Sequence, residues 1–217
     1  MAKRNVKKAI AIVGEGITEW MYFDYIRRNR RYAFSLKPDL PKHSDYSYIF
    51  QKAKELIQKG YDIVFCVLDL DAMQKEGRLS DFSRACKMLP KTIRPITSNP
   101  CIEIWFLMHY MRSPRNRYYE SYEALSIDLQ KHLPEYEKSR DYFESSGVFS
   151  SMEANGKQEK AIQHAITIME SFRKHHDVSR CSFSEVYLVL QQLEQCKQCK
   201  MNKQCLTCLE QVQVIFS

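Results

Sequence analysis

Ile63-Val64-Phe65-Cys66-Val67-Leu68-Asp69-Leu70-Asp71 decides both how the chain folds and where its chemistry falls. Six apolar residues in a row, largely β-branched or aromatic, read as a strand buried on both faces of a parallel sheet. Such sheets open their ligand crevices beyond the carboxyl ends of the strands, which is where Asp69 and Asp71 stand. In an extended segment side chains two apart point to the same side, so the spacing predicts two carboxylates facing one cation, with Leu70 turned back into the core. Like charges this close repel unless a cation or a proton offsets them. The alternative is a solvated acidic turn capping the next helix.

Outward from this strand, the first two-thirds of the chain alternates strand and helix signals. Residues 8–13 read as a buried strand, followed by Gly14-Glu15-Gly16 and a helix from Thr18 to Arg28. A strand over 32–36 precedes a helix over 47–59 that Gly60 stops. After the acidic pair come a helix over 80–89, a strand over 92–97, and a helix opened by Asn99-Pro100 in the cap-then-proline order. This alternation predicts an α/β fold, a parallel sheet with helices on both faces. Past Met111 the strand signals stop. Helices are expected over 118–132, 134–144, 157–175 and 184–194, the last behind a Ser182/Glu185 capping box, with the turn-rich stretch 145–156 as a flexible connection. The expected organisation is a core over residues 1–112, a helical elaboration over 113–195 and a cysteine-rich tail over 196–217.

A parallel sheet brings Glu15, the Asp69/Asp71 pair and Ser98-Asn99 to one edge. Glu103 follows, flanked by Ile102, Ile104 and Trp105, where an unpaired carboxylate would cost several kcal/mol of desolvation and therefore calls for a cation or a donor. Helical geometry would put Asn99 and Glu103 on one face, whereas His109 shares a side with Trp105 and reads as a core or interface histidine. Gly14-Glu15-Gly16 is not a dinucleotide loop, because Glu19 stands where the third glycine is needed and would repel a pyrophosphate. Glu19 either complements the helix dipole or contributes to a metal site, and Glu15 is the stronger candidate. Several carboxylates without thiolate or histidine ligands favour Mg²⁺ or Mn²⁺, and with them phosphoryl transfer, with Glu15 as candidate general base.

At 217 residues and 44% hydrophobic, with six glycines, the chain can bury a compact core. The longest apolar helical stretch, 101–111, contains Glu103 and His109 and is far below the ~20 residues that span a bilayer. No targeting pattern is seen at the basic N-terminus, so a cytoplasmic protein without a membrane partner is expected. A formal charge of +7 suits a polyanionic partner only weakly. Two clusters add to it: Arg27, Arg28, Arg30 and Arg31, and Arg112, Arg115 and Arg117 interleaved with Tyr118 and Tyr119. Each also fits a solvated surface or a charge placed at a helix end.

Three blocks resemble the RloB-like family of Toprim-related proteins: Val13-Gly14-Glu15-Gly16-Ile17-Thr18-Glu19 running into Trp20, Tyr22 and Phe23; Leu68-Asp69-Leu70-Asp71; and Ser98-Asn99-Pro100-Cys101-Ile102-Glu103-Ile104-Trp105-Phe106-Leu107-Met108-His109-Tyr110. The resemblance implies a Toprim-like core in which Glu15, Asp69 and Asp71 bind divalent metal and Glu103 takes a further acidic position. Tyr136-Glu137-Lys138 is similar to a downstream tyrosine-lysine element, which makes Lys138 a phosphate contact; the alternative is an ordinary helix-surface lysine. It further implies a nuclease acting on DNA or RNA, tRNA among the candidates, as an effector of prokaryotic anti-phage defence beside an ATPase of the AAA type, and it leaves room for a homo-oligomer. Two other readings stand beside it: a non-catalytic nucleic-acid- or nucleotide-binding partner of such an ATPase, and a phosphatase using Asp69, although Ala72-Met73 replaces the glycine-threonine expected there. The resemblance weakens over residues 177–193.

Cys196-Lys197-Gln198-Cys199 and Cys205-Leu206-Thr207-Cys208 form two Cys-X-X-Cys pairs, a set of four thiolates suited to a structural Zn²⁺ site. Cys66, Cys86, Cys101 and Cys181 are scattered, Cys66 and Cys101 in apolar runs, which argues against a secreted disulfide framework.

Overall fold

The computed structural model describes residues 9–37, 45–113, 117–175, 177, 180–202 and 215–216. β1 (Ile10–Gly14), α1 (Ile17–Arg30), β2 (Ser35–Lys37), α2 (Tyr46–Gln58), β3 (Ile63–Asp69), α3 (Asp71–Lys75), α4 (Leu79–Lys87), β4 (Ile93–Asn99) and α5 (Glu103–Met108) keep the predicted alternation, except that α3 is an additional short helix after Leu70 and the strand expected over 32–36 lies at 35–37. Then come α6 (Tyr122–Leu129), α7 (Arg140–Ser145), α8 (Val148–Glu153), α9 (Lys157–His175), β5 (Phe183–Ser184) and α10 (Val186–Asn202). The sheet order is β2-β1-β3-β4-β5. Its first four strands are parallel, and β5 joins β4 antiparallel through Ser98↔Ser184 and Asn99↔Phe183.

β3 shows why this is a two-faced sheet. Alternate side chains of a strand point to opposite faces, and every residue from Ile63 to Leu68 is at most 3% exposed, so both faces are covered. The same holds for α5, where Ile104, Trp105, Phe106, Leu107 and Met108 are all buried. A helix apolar on every side must be enclosed, and α6 and α9 pack against it. Rings from four helices meet beside it: Tyr22 lies against Phe106 and Phe149, Phe149 stacks on Phe143, and Tyr22 Oη accepts from Trp105 Nε1 at 2.8 Å.

The region after residue 112 departs most from the sequence-based expectation. β5 is a strand where none is predicted, because two residues carry no readable period and their place comes from pairing with β4. The helix predicted over 134–144 shrinks to α7, which starts behind Ser139, whose Oγ accepts from the Tyr142 amide at 3.2 Å. Residues 134–138 leave the helix because Tyr136 is pulled inward against Phe106 and Phe143. The stretch 145–156, predicted as a flexible connection, instead contains α8: Val148, Phe149 and Met152 are buried, and Glu153 accepts from Tyr25 Oη and Arg30 Nε. Asn99 closes β4 rather than capping a helix; its amide donates to the Cys181 carbonyl at 2.6 Å and accepts from Gln74 Nε2 at 2.8 Å, and α5 starts at Glu103.

The expected Ser182/Glu185 capping box is not formed. Ser182 Oγ accepts from the Tyr119 amide at 2.8 Å. Glu185, fully buried, accepts from the Thr97 amide at 2.9 Å and the Thr97 hydroxyl at 2.7 Å with one oxygen, and from the Ile215 amide at 2.8 Å with the other. One carboxylate therefore binds β4, the start of α10 and the chain near residue 215. No helix among the described residues is long and apolar enough to cross a membrane. Glu185→Ala would strand three donors in the core, each costing about 1–3 kcal/mol, so urea denaturation should show a loss on the order of 3 kcal/mol, with Glu185→Gln, which keeps one acceptor, falling between it and wild type.

Candidate metal centre

Parallel register brings the carboxyl ends of three strands to one edge, with Gly14 opposite Val67 and Asp69 opposite Ser98. The Pro100 carbonyl, just beyond β4, accepts the amides of Leu70 at 2.9 Å and Asp71 at 3.0 Å. The Asp69 Oδ1 in return accepts the Ile102 amide at 2.9 Å. These bonds fix the turn after β3 against the entry to α5. They also change the geometry predicted for the acidic pair: the strand ends at Asp69, Leu70 is helical at φ −97° and ψ −15°, and Asp71 starts α3, its Oδ1 accepting the Ala72 amide at 2.7 Å. Leu70 is buried as predicted, but Asp71 reaches the site from a helix, not from an extended segment.

At the end of β1 the glycines serve a purpose the sequence does not reveal. A Cβ on Gly14 would lie 2.9 Å from the Glu19 Cβ, and one on Gly16 would lie 3.1 Å from its Oε2. Glu19 folds back over the turn and accepts the Gly16 amide at 2.9 Å, so the two glycines make room for a carboxylate of the chain itself. Burial, then the Glu103 charge, pushes the Glu19 carboxyl up to about 7, against the lowering effect of Lys138 and the Gly16 amide.

Asp69, Cys101 and Glu103 form the tightest group, with one ligand atom from each within 4.8 Å of the others. Glu15, Glu19 and Asp71 surround it closely enough to act on its charge. Burial, then Glu19, Glu15 and Glu103, raises the Asp69 carboxyl well above the usual range. Burial, then Glu19, raises Glu15, with Asp71 adding to it and the Asp69 backbone lowering it. Asp71 is also raised by burial, opposed by the Ala72 amide and Lys138. Glu103 is fully buried; its Oε1 accepts from Tyr136 Oη at 2.8 Å and pairs with Lys138 Nζ at 3.0 Å. Its Oε2 is buried with no hydrogen-bond partner among the described residues.

Lys138 is thus neither on a helix nor a free surface lysine. It is held between Glu103 and the Tyr122 ring, 3.9 Å from the centroid. Burial opposes its charge, but Glu103, Cys101 and Asp69 together hold it firmly protonated. Cys101 is the member of the site that sequence reasoning assigned to the core. Burial, followed by Glu103 and Asp69, raises its thiol well above the usual value, so it stands there as a neutral SH. Its position two residues before Glu103 was the available signal. Asn99 faces Gln74 and Cys181. His109 is a core histidine, buried against Trp105 with Nδ1 at 2.8 Å from the Trp105 carbonyl and its basicity lowered to about 4 by burial. In the cysteine tail, Cys196 is buried on α10 and accepts from Gln192 Nε2 at 3.7 Å; Cys199 lies on the same helix, and Cys205 and Cys208 fall outside the described residues.

The donor set suits a hard divalent cation. Among the described residues five carboxylates share one ammonium, four of them are driven toward protonation, and one buried oxygen has no hydrogen-bond partner. An α/β protein with acidic groups gathered at the carboxyl ends of its strands is the class that fold and site define, and the architecture is consistent with a Toprim-like fold. The chain belongs to the RloB-like protein family, whose model matches residues 10–193. No curated protein and no solved structure matches the chain.

The raised carboxyls make stability depend on pH. Because the folded state holds its Glu19 proton up to about pH 7 while the unfolded chain releases it near 4.5, the folded state binds more protons between those values. Stability should therefore fall as pH rises across that window, by on the order of 3 kcal/mol from Glu19, with Glu185, raised by burial to about 7, adding the same sign. Urea denaturation in chelator at pH 5 and pH 7.5 should show the loss, Glu19→Gln should shrink it, and Mn²⁺ should restore stability chiefly at the higher pH.

Proposed function

We propose that the chain is a divalent-metal-dependent nuclease that hydrolyses phosphodiester bonds in DNA or RNA, tRNA included, as the effector of a prokaryotic anti-phage system. The observation that carries this reading is Glu103 Oε2, a fully buried carboxylate oxygen with no hydrogen-bond partner among the described residues, in a group with Asp69 and Cys101 whose ligand atoms lie within 4.8 Å of one another. Asp69 and Glu103 would hold Mg²⁺ or Mn²⁺, with Glu15 and Asp71 completing the set, and the bound ion would neutralise and polarise a phosphate. The other contributions come from the chain itself. Glu15, whose carboxyl is raised by burial and by Glu19, is poised to accept a proton from an attacking water. Lys138 remains charged beside the cluster, where it can stabilise negative charge developing on the phosphoryl oxygens. Tyr136 holds Glu103 Oε1, which leaves Oε2 for the cation. Glu19 acts as a positioning residue, fixing the Glu15 turn through the Gly16 amide.

The defence setting and an AAA-type ATPase partner rest on the three sequence blocks shared with the family. With Mn²⁺, with and without such an ATPase, the purified protein is expected to nick DNA or cleave tRNA, and Glu15→Gln and Asp69→Asn should each lower the rate at least ~100-fold. Cleavage that survives both substitutions would overturn the assignment. Phosphomonoester release with phosphate trapped on Asp69 would make the protein a phosphatase, and nucleotide binding without turnover would make it a sensor.

For the tail, we propose a structural Zn²⁺ held by Cys196, Cys199, Cys205 and Cys208. Protein purified without chelator should contain stoichiometric zinc by elemental analysis, and a metal-free result would refute the site.

A further inference from the structure

Arg112, Arg117 and Tyr119 of the arginine-tyrosine run wall a cavity of about 270 Å³ between the end of α5 and the end of α6, while Arg115 falls outside the described residues. Lys131, His132 and Tyr110 line it as well, and Asp128 is the sole acid among the described residues that line it. Two other cavities differ in sign: one combines Arg30 with Glu159 and Glu194, the other Arg28 with Asp24 and Glu144, so each carries an excess of acid. Asp128 organises the cationic cavity more than it neutralises it. Its Oδ2 pairs with Arg117 at 2.5 Å and accepts from Tyr119 Oη at 2.7 Å, while its Oδ1 pairs with Lys131 at 2.6 Å. Both cations are thereby held at the wall, and Arg112, exposed, forms no ion pair among the described residues. Tyr110 and His132 stack at 5.2 Å with their planes 12° apart, giving the cavity a flat aromatic edge.

This arrangement of fixed cations and a stacked ring pair is what a nucleic-acid strand recognises: cations for the phosphates, rings for the bases. The fold also sets its distance from the metal centre. Glu103 begins α5 and Leu107, at the cavity, lies one turn further on, with Tyr110 just past the helix end, a separation of about 6–10 Å along the axis. Tyr118, 38% exposed, follows Arg117 of the cavity wall, and its hydroxyl reaches Gln74 on α3, the helix that Asp71 begins.

We infer that this cavity seats a backbone phosphate of the strand whose scissile bond lies at the carboxylate cluster. The inference rests on the nuclease reading and adds to it the path of the substrate. It is tested on full-length Asp69→Asn protein by fluorescence anisotropy with labelled single-stranded DNA and RNA of one sequence, at a series of salt concentrations. Arg112→Ala/Lys131→Ala should weaken binding of whichever strand is bound about tenfold and reduce the salt slope by about 0.7, the value for one lost phosphate contact on a single strand. Arg112→Ala alone, which breaks no ion pair, should account for about half of that slope change. Lys87→Ala/Lys91→Ala, the same charge loss beside the start of β4, should change neither. Unaltered affinity and slope in the cavity variant would overturn the inference while leaving the nuclease reading intact. A parent protein that binds neither strand would overturn both, and a mononucleotide that competes as well as the oligonucleotide would replace the strand with a free nucleotide.

Discussion

Glu103 is a carboxylate placed entirely out of water at the start of a helix whose other residues are all apolar and buried. An uncompensated charge there would cost several kcal/mol, and much of the surrounding structure answers that demand. Tyr136 and Lys138 converge on one oxygen, and both come from a segment that lies outside the Toprim-like core predicted from sequence. For them to arrive, residues 134–138 must leave the helix and Tyr136 must bury among Phe106 and Phe143. The region after residue 112 is therefore tied to the strand-end site by charge as well as by packing. The second oxygen has no hydrogen-bond partner among the described residues, and the proposed cation would offset its burial.

Rigidity at this edge comes from backbone groups. The Pro100 carbonyl gathers two amides from the turn after β3, and Asp69 returns a bond to Ile102, so the β3 and β4 exits are locked to each other before any ligand arrives. Glu19 does the same for the β1 exit through Gly16. Acidic side chains held this firmly cannot relax apart, and their burial, followed by their mutual repulsion, raises the Glu15 and Asp69 carboxyls. Carboxylates preorganised in this way would hold the proposed metal without the site having first to assemble. On the far side of β4, Glu185 applies the same chemistry to a structural end, satisfying three donors and tying the last turn of the chain to the sheet.

Much of this was legible in the residues. The unbroken run 63–68 showed a strand covered on both faces, and the alternation around it placed Glu15, Asp69 and Glu103 at one edge. What misled was local pattern where tertiary contacts prevail. Ser182 and Glu185 have capping-box spacing but bond to Tyr119 and Thr97 instead. Asn99-Pro100 has the order of a helix start, yet Asn99 ends a strand. Cys101 was assigned to the core because it is flanked by apolar residues, and its burial is real; its closeness to two carboxylates depends on how the β4 exit turns.

The sequence alone determined the four parallel strands of the sheet and the acidic character of their open edge, because strand periodicity and the alternation of strands with helices are short-range consequences of residue type; the antiparallel β5 was left to tertiary pairing. Only the tertiary structure decided which oxygen of Glu103 is left free, that Lys138 faces it, that Glu19 fills the glycine turn, and that Arg112, Arg117 and Lys131 enclose a cavity. Those outcomes depend on pairs of residues tens of positions apart, and no local preference encodes a contact that exists only once the chain has packed.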